Sequence, residues 1–264
     1  MPVINLIMIA SIAIPLVIPL GLPIKIDPMT RAAYNTIQNM PEGSVVIFDY
    51  GMTASYIIEM GPACNSMTAQ MFEKDFKILF FSGDAQGPVF AENEISPIAE
   101  EFKKTYGVDW VILGFAPGGE VAITAILADI KNVFSEDFYG TPIDNLPLME
   151  VVQNHEQIDL AIYTGGGGDR LPAWVRQANT AYGTTVIFIP AGGMIAYATP
   201  YYPNQAAGIV GSLRGSAEYE LLTRRPGAAI SGMDSLSLSF LYLMFLVILC
   251  NISVIISFIK GGKK

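Results

Sequence analysis

Histidine, cysteine and basic side chains are scarce in this sequence of 264 residues. The single histidine, His155, excludes any site that requires two, and Cys64 and Cys250 are too few for a disulfide framework. Residues 25–234 carry 12 basic and 24 acidic side chains, a net charge of −12. Because binding to phosphates requires clustered lysine and arginine, the sequence predicts no nucleic-acid partner.

Charged side chains are absent from residues 2–24 and 235–259. A helix of either length could cross a hydrocarbon core of about 30 Å. The sequence therefore predicts transmembrane helices over 1–24 and 235–259, joined by one domain at 25–234. A cleaved signal peptide is the alternative for the first stretch, but it has no basic n-region and no A-x-A site. Pro15, Pro19 and Pro23 predict that this helix bends or ends early.

The basic tail, residues 260–264, contains three lysines directly after the second predicted span. Since basic residues favour the cytoplasmic side, both termini are expected in the cytoplasm and the domain on the other side of the membrane. The membrane is expected to be the cell membrane. Arg224 and Arg225 on the domain side favour the opposite orientation, but they lie about ten residues from the span.

Five short apolar runs divide the central domain, and helical patterns separate them. The runs are 45–49, 77–82, 109–114, 158–163 and 185–189, and the main helical patterns are 28–40, 53–73, 91–106, 119–134, 170–182 and 205–222. Runs with little alternation are typical of parallel strands that are covered on both faces. The order predicts an α/β fold with a doubly wound, mainly parallel five-stranded sheet, Rossmann-like or flavodoxin-like.

Every predicted strand ends in a loop that contains glycine or an acidic residue. The carboxyl ends of parallel strands share one edge, where such sheets bind ligands. The candidate ligand-binding residues are Asp49, Ser82, Asp84, Gly118, Gly119, Glu120, Gly165, Gly166, Gly167, Gly168, Asp169, Gly192 and Gly193.

Two kinds of site are conceivable at this edge, and each has a simpler alternative. The run Gly165–Gly168 before a helix could form an anion cradle, or it could be a tight turn. Asp49, Asp84, Glu120 and Asp169 could hold a hard cation such as Mg²⁺, or they could cap the helices that follow. No nucleotide fingerprint is present, so no cofactor is predicted.

No catalytic constellation can be recognised. The segment VVIFD, ending at Asp49, resembles the first motif of haloacid-dehalogenase-type phosphatases, but Gly51 occupies the position of their second aspartate. A G-x-S-x-G nucleophile motif is also absent. We therefore predict no catalytic or metal-binding residue and favour a protein that is not an enzyme.

Small and polar residues suggest contacts with other chains. Gly208, Gly211 and Gly215 would lie on neighbouring turns of the predicted helix 205–222, where glycine lowers stability unless close packing compensates. Asn251 lies within the second predicted span, where a polar side chain favours a partner helix. We expect a homo-oligomer or a subunit of a membrane complex.

The sequence resembles a group of uncharacterised prokaryotic membrane proteins in which two anchors flank an α/β domain. The segments that carry the resemblance are GLPIKI (21–26), GSVVIFDY (43–50), LGFAPGGEVAI (113–123), GTPIDNLPLM (140–149), GIVGSLRGSAEYE (208–220) and GMDSLSLS (232–239). The resemblance implies the architecture and no activity. The favoured hypothesis is a membrane-anchored interaction or scaffold subunit. The alternatives are a domain that binds or senses a small anion, nucleotide-like molecule or cation, and a hydrolase at the same edge.

Overall fold

The structure is a computed structural model that describes residues 2–261. The described chain forms two compact units, one made of residues 2–23 and 230–261 and the other of residues 24–229. Met1 and the last three residues of the predicted basic tail lie outside the described residues.

The larger unit contains one parallel sheet in the order β3-β2-β1-β4-β5-β6. Its strands are β1 (Val45–Tyr50), β2 (Lys77–Ser82), β3 (Trp110–Phe115), β4 (Leu160–Gly165), β5 (Thr185–Pro190) and β6 (Gly208–Ile209). The predicted α/β class with a parallel, Rossmann-like sheet is confirmed. The predicted strand number is wrong, because β6 adds a sixth strand of two residues.

Helices cover both faces of the sheet. They are α2 (Pro28–Asn39), α3 (Ile57–Glu73), α4 (Gly87–Glu101), α5 (Glu120–Ala128), α6 (Ile130–Val133), α7 (Pro147–Val151), α8 (Arg170–Trp174, continued by a π-helical segment, Val175–Thr180), α9 (Ile195–Ala198) and α10 (Ser212–Thr223). Alternate strand residues enter two separate cores. Ile47 packs in the core that includes α5 and α8, whereas Val46 and Phe48 pack in the core that includes α3 and α4. Burial on both faces explains why the strands are uniformly apolar.

The prediction of one helix over 205–222 is wrong. Gly208 lies in β6, Gly211 precedes α10, and only Gly215 lies inside a helix. A Cβ atom at position 208 would lie 2.4 Å from the backbone of Ala33 in α2, so glycine lets the strand and the helix approach closely. Cβ atoms at 211 and 215 would likewise meet Ile195 and Val210. The close approaches made by these three glycines are therefore within the chain.

The smaller unit contains α1 (Pro2–Val17) and most of α11 (Ala228–Gly261). The predicted helical span over 1–24 is wrong, because α1 ends at Val17 and residues 18–27 are not helical. Pro19 and Pro23 lack the amide hydrogen that would continue the helix. Among the described residues, one helix is long and apolar enough to cross a membrane, Ala228–Ile252, with a mean hydropathy of 2.2. Asn251 lies in it with its side chain exposed.

Asp234 joins the two segments of the smaller unit. Sequence analysis placed this residue at the end of the central domain, but it lies in α11 and is 1% exposed. Its carboxylate accepts hydrogen bonds from the backbone N–H groups of Leu20, Gly21 and Leu22, at 2.7, 2.9 and 3.0 Å. Gly21 has a φ of +63°, which helps three consecutive N–H groups converge on one anion.

Candidate functional site

A cleft lies at the carboxyl edge of the sheet, between the loops that follow β1 and β4. These strands are neighbours, and the strand order reverses between them, as at the ligand crevice of open α/β sheets. The cleft has a volume of about 390 Å³. It is lined by Gly51, Thr53, Tyr56, Gly83, Asp84, Gly119, Tyr163, Gly166, Gly167, Asp169 and Arg170. Five of the predicted residues are therefore brought together here: Asp84, Gly119, Gly166, Gly167 and Asp169.

Asp49 lies beneath this cleft and forms a buried ion pair with Arg170. Its Oδ2 atom accepts hydrogen bonds from Nε and Nη2 of Arg170 and from Nε1 of Trp174, and Oδ1 accepts one from the backbone of Gly83. Burial raises the pKa of Asp49, whereas the Arg170 charge and these donors act to lower it. Since its oxygens are already engaged, Asp49 is not placed to bind a ligand.

The Arg170 side chain forms part of the cleft wall. A Cβ atom at position 83 would lie 2.2 Å from Nη1 of Arg170, so glycine at that position leaves room for the guanidinium. The guanidinium carbon lies 6.0 Å from the centre of the Tyr163 ring. Burial raises the pKa of Tyr163, and its hydroxyl donates to and accepts from the backbone of Gly167 at 3.2 Å. The phenol therefore stays protonated, and its hydrogen bonds hold it against the loop that follows β4.

Two glycines allow the β1 and β4 loops to meet. A Cβ atom at position 51 would lie 2.6 Å from the carbonyl oxygen of Thr164, and one at position 166 would lie 2.2 Å from the hydroxyl of Tyr56. The backbone N–H of Gly51 donates to the same Thr164 oxygen at 2.9 Å. These glycines therefore serve close packing between the loops.

Carboxylates of the chain itself lie near the N-terminal ends of helices at this edge. Asp84 accepts a hydrogen bond from the backbone of Gln86 just before α4, and Glu59 accepts one from the backbone of Gly192. Asp169 is the residue preceding α8. Because each adds negative charge where an anion would otherwise be attracted, the edge does not favour anionic ligands.

The hypothetical cation site is not assembled. Asp49 is bonded to Arg170, and Glu120 lies in a bidentate pair with Arg176 at 2.8 and 2.6 Å. Hydrogen bonds from Arg176 lower the pKa of Glu120 to about 2. Within residues 2–261, no group of three histidine, cysteine or acidic side chains could hold a metal ion. The helix-capping alternative describes Asp84 better, since it bonds to the turn that leads into α4.

The other predicted ligand-binding residues lie outside the cleft lining. Ser82 is buried, and its hydroxyl accepts a hydrogen bond from the backbone of Asp84 at 2.9 Å. Gly118 precedes α5, Gly165 ends β4, and a Cβ atom at Gly168 would face Met194 at 3.4 Å. Gly192 and Gly193 lie in a short 3-10 helix, Gly192–Met194, after β5.

Four residues of the cleft lining with hydrogen-bonding side chains are not among the predicted residues. Thr53, Tyr56, Tyr163 and Arg170 all line it. A signal for Arg170 was present, because a strand-end aspartate in a fully apolar strand needs a counter-charge and Arg170 begins a helix after a neighbouring strand. Thr53 had no such signal. Its hydroxyl oxygen is shielded from solvent and has no hydrogen-bond partner among the described residues.

Comparisons with protein-family models, curated proteins and solved structures found no match to this chain. The function is therefore inferred from the geometry of the cleft alone.

Proposed function

We propose that the central α/β domain binds a small polar molecule in the cleft between the β1 and β4 loops. The observation that carries the proposal is Thr53, a residue of the cleft lining whose hydroxyl is shielded from solvent and has no hydrogen-bond partner in the described structure. Leaving such a buried group unsatisfied costs about 1–3 kcal/mol. A polar ligand in the cleft supplies the missing bond.

The charges of the cleft define the class of ligand. Asp84 and Asp169 contribute two carboxylates, while the positive charge of Arg170 is already neutralised by Asp49. Carboxylates only accept hydrogen bonds and the Thr53 hydroxyl can accept or donate one, so the cleft suits a molecule that is rich in donors. We therefore propose that the ligand is either a neutral polyhydroxylated solute or a solute that carries an amine, rather than a phosphate or nucleotide.

Thermal unfolding of the purified full chain with added solutes tests this proposal. The probes are glucose, ethanolamine, inorganic phosphate and AMP, each over the same concentration series, because a ligand that binds the folded state raises the midpoint as its concentration increases. Stabilisation by glucose or ethanolamine and by neither anion is expected. Stabilisation by the anions alone would overturn the ligand class, and no effect of any probe would count against binding.

Matched threonine variants assign a stabilising effect to the cleft. Thr53→Val removes the unpartnered hydroxyl and keeps the shape, so it is expected to weaken binding about tenfold, the value of one hydrogen bond. Thr124→Val is the control, because that hydroxyl bonds to Glu120 of its own helix. Equal effects of the two variants would contradict a role for Thr53.

We also propose that α11 attaches this domain to a membrane. Its segment Ala228–Ile252 supports this, since it is the described helix with the length and hydropathy of a span. The protein is expected to stay in the membrane pellet after alkaline carbonate extraction. Introducing arginine at Leu243 and Val247, both exposed in α11, is expected to release it, because each charge costs about 2.5–3.5 kcal/mol at the centre of a span. Retention of that variant would contradict the proposal.

The hypothesis of an interaction or scaffold subunit stays a prediction, as do oligomerisation, the side of the membrane on which the domain lies and the resemblance to a two-anchor family. One of the observations that favour the scaffold hypothesis, the glycine-rich helix over 205–222, is not found. Gly208, Gly211 and Gly215 make their close approaches within the chain rather than forming one glycine-rich helix face.

A further inference from the structure

A second cavity, of about 710 Å³, lies on the helical layer formed by α3 and α4, away from the cleft described above. The start of α3, the middle of α4 and the segment that follows α10 enclose it. Its apolar lining is Ile57, Ile58, Pro62, Pro97 and Ile98, with Pro226 and Ala228 on the third side. We propose that this cavity binds an organic amine with an apolar body.

Two prolines remove hydrogen-bond donors from the walls of the cavity. Pro62 lies inside α3 and Pro97 inside α4. A proline has no N–H to donate to the carbonyl four residues earlier, so the carbonyls of Ile58 and Asn93 lose their α-helical partners. Both of these residues line the cavity. Two facing helices thus each contribute a residue whose backbone acceptor lacks its usual bond.

Asn65 also lines the cavity and carries a side-chain acceptor without a partner in the described chain. Its Nδ2 atom donates to Oε2 of Glu94 at 2.6 Å, which fixes the orientation of the amide because the carboxylate requires a donor. The Oδ1 atom therefore points the other way. It is shielded from solvent and has no hydrogen-bond partner among the described residues.

The charges around the cavity are acidic overall. No lysine or arginine nitrogen of the described chain lies within salt-bridge distance of the Glu94 carboxylate. Glu220 also lines the cavity and accepts hydrogen bonds from the backbone of Gly227 and Ala229. Arg225, the basic residue of the lining, is held in a bidentate pair with Glu101 at 2.8 and 2.6 Å.

Acceptors and negative charge beside an apolar wall suit one kind of ligand. An ammonium group offers three donors and a positive charge, and it has no acceptor that would face the carbonyls. An apolar body fills the space between the isoleucines and prolines. A neutral alcohol of the same shape matches the wall but not the charge, and a carboxylate is repelled by Glu94.

Three probes that share one cyclohexyl ring separate these possibilities. Binding of cyclohexylamine, cyclohexanol and cyclohexanecarboxylate to the purified full chain is measured by titration calorimetry at neutral pH. The amine is expected to bind at least tenfold more tightly than the alcohol, and the carboxylate is expected not to bind. Equal binding of the amine and the alcohol would overturn the proposal, because it would show an apolar cavity without charge selectivity.

Variants locate the amine in this cavity. Glu94→Gln keeps the bond to Asn65 and removes the charge, so amine affinity is expected to fall about tenfold or more, the usual effect of losing a charged hydrogen bond. Glu100→Gln removes the same charge from an exposed site on α4 and serves as the control. Thr124→Val, outside both sites, alters a hydroxyl that bonds to Glu120 of its own helix and is expected to leave amine binding unchanged. An unaltered affinity in Glu94→Gln would refute the assignment.

Pro97→Ala separates binding from stability. If Pro97 had a purely structural role, stability and amine affinity would not change in opposite directions. Alanine restores the N–H that the carbonyl of Asn93 lacks, so the helix is expected to become more stable while amine affinity falls. A variant that is more stable and binds the amine as tightly as before would contradict the role of this carbonyl.

Discussion

Arg170 donates two hydrogen bonds to a single carboxylate oxygen of Asp49, from Nε and Nη2 to Oδ2 at 2.8 and 2.5 Å. Asp49 is fully buried at the end of β1, and 10% of the Arg170 side chain is exposed. The pair links β1 to the helix that follows the neighbouring strand β4, where the strand order reverses. It therefore fixes the floor of the cleft by joining the start of α8 to β1.

Removing one partner of this pair is expected to lower stability strongly. Asp49→Asn leaves the Arg170 charge buried without a counter-charge, which typically costs about 3–5 kcal/mol of unfolding free energy. Urea unfolding followed by circular dichroism measures the change. The control is Asp144→Asn, which breaks a pair with Lys131 in which the aspartate side chain is 77% exposed and is expected to cost about 0–1 kcal/mol.

A double variant separates the burial of an unpaired charge from the loss of the contact. Asp49→Asn combined with Arg170→Met removes both charges, so it is expected to be more stable than Asp49→Asn alone. Arg170→Met alone completes the comparison. If the loss of stability in the double variant equals the sum of the losses in the two single variants, the pair is not coupled and the interpretation is wrong.

Replacing Gly83 by alanine is expected to lower stability, because the Arg170 guanidinium lies against this position. The added methyl group of Gly83→Ala would lie 2.2 Å from Nη1 and 2.3 Å from the guanidinium carbon, so the ion pair must shift. We expect a loss of about 1–3 kcal/mol in thermal or urea unfolding. Gly193→Ala is the matched control, since an added Cβ there meets nothing within 4 Å. Equal losses of stability in the two variants would show that the crowding at Gly83 is relieved without cost.

The strands and the site differ in how much of them the sequence could reveal. Burial on both faces of the sheet leaves a strong local signature, so the first five strands were predicted to within two residues. β6 has only two residues, and its position depends on the close approach of Gly208 to Ala33, a contact across 175 positions. The sequence marks Asp49 as a candidate ligand-binding residue, whereas its actual partner, Arg170, lies 121 positions further along the chain. The local pattern carries no record of the contact at Gly208, and for Asp49 it shows only that a buried carboxylate needs a counter-charge.

Gly208→Ala tests whether this glycine serves folding or association. The methyl group would lie 2.4 Å from the backbone nitrogen and Cα of Ala33, neither of which can rotate away. The unfolding free energy is therefore expected to fall by about 1–3 kcal/mol, independently of protein concentration. A change in oligomeric state by light scattering with stability unchanged would instead favour the interface prediction.

The Glu120–Arg176 pair is expected to titrate at low pH. Hydrogen bonds from Arg176 lower the pKa of Glu120 to about 2 from an ordinary value of 4.5. A carboxylate with a lowered pKa in the folded state stabilises that state above pH 4.5, and this contribution is lost as the pH falls through about 2. NMR titration of the Glu120 side-chain carboxyl carbon measures the midpoint. In Arg176→Gln it is expected to move back towards 4.5, and an unchanged midpoint would show that Arg176 is not the cause.

Asp234 is expected to hold residues 20–22 in place within the smaller unit. Its carboxylate accepts three backbone hydrogen bonds, and Asp234→Ala leaves Leu20, Gly21 and Leu22 without them. Hydrogen–deuterium exchange of these amides in the full chain is expected to rise about tenfold or more, the change that corresponds to losing one charged hydrogen bond. Ser239→Ala is the control, because that hydroxyl bonds to Ser235 of its own helix. Unchanged exchange in Asp234→Ala would mean that other contacts order residues 20–22, and the carboxylate would then be dispensable for joining this segment to α11.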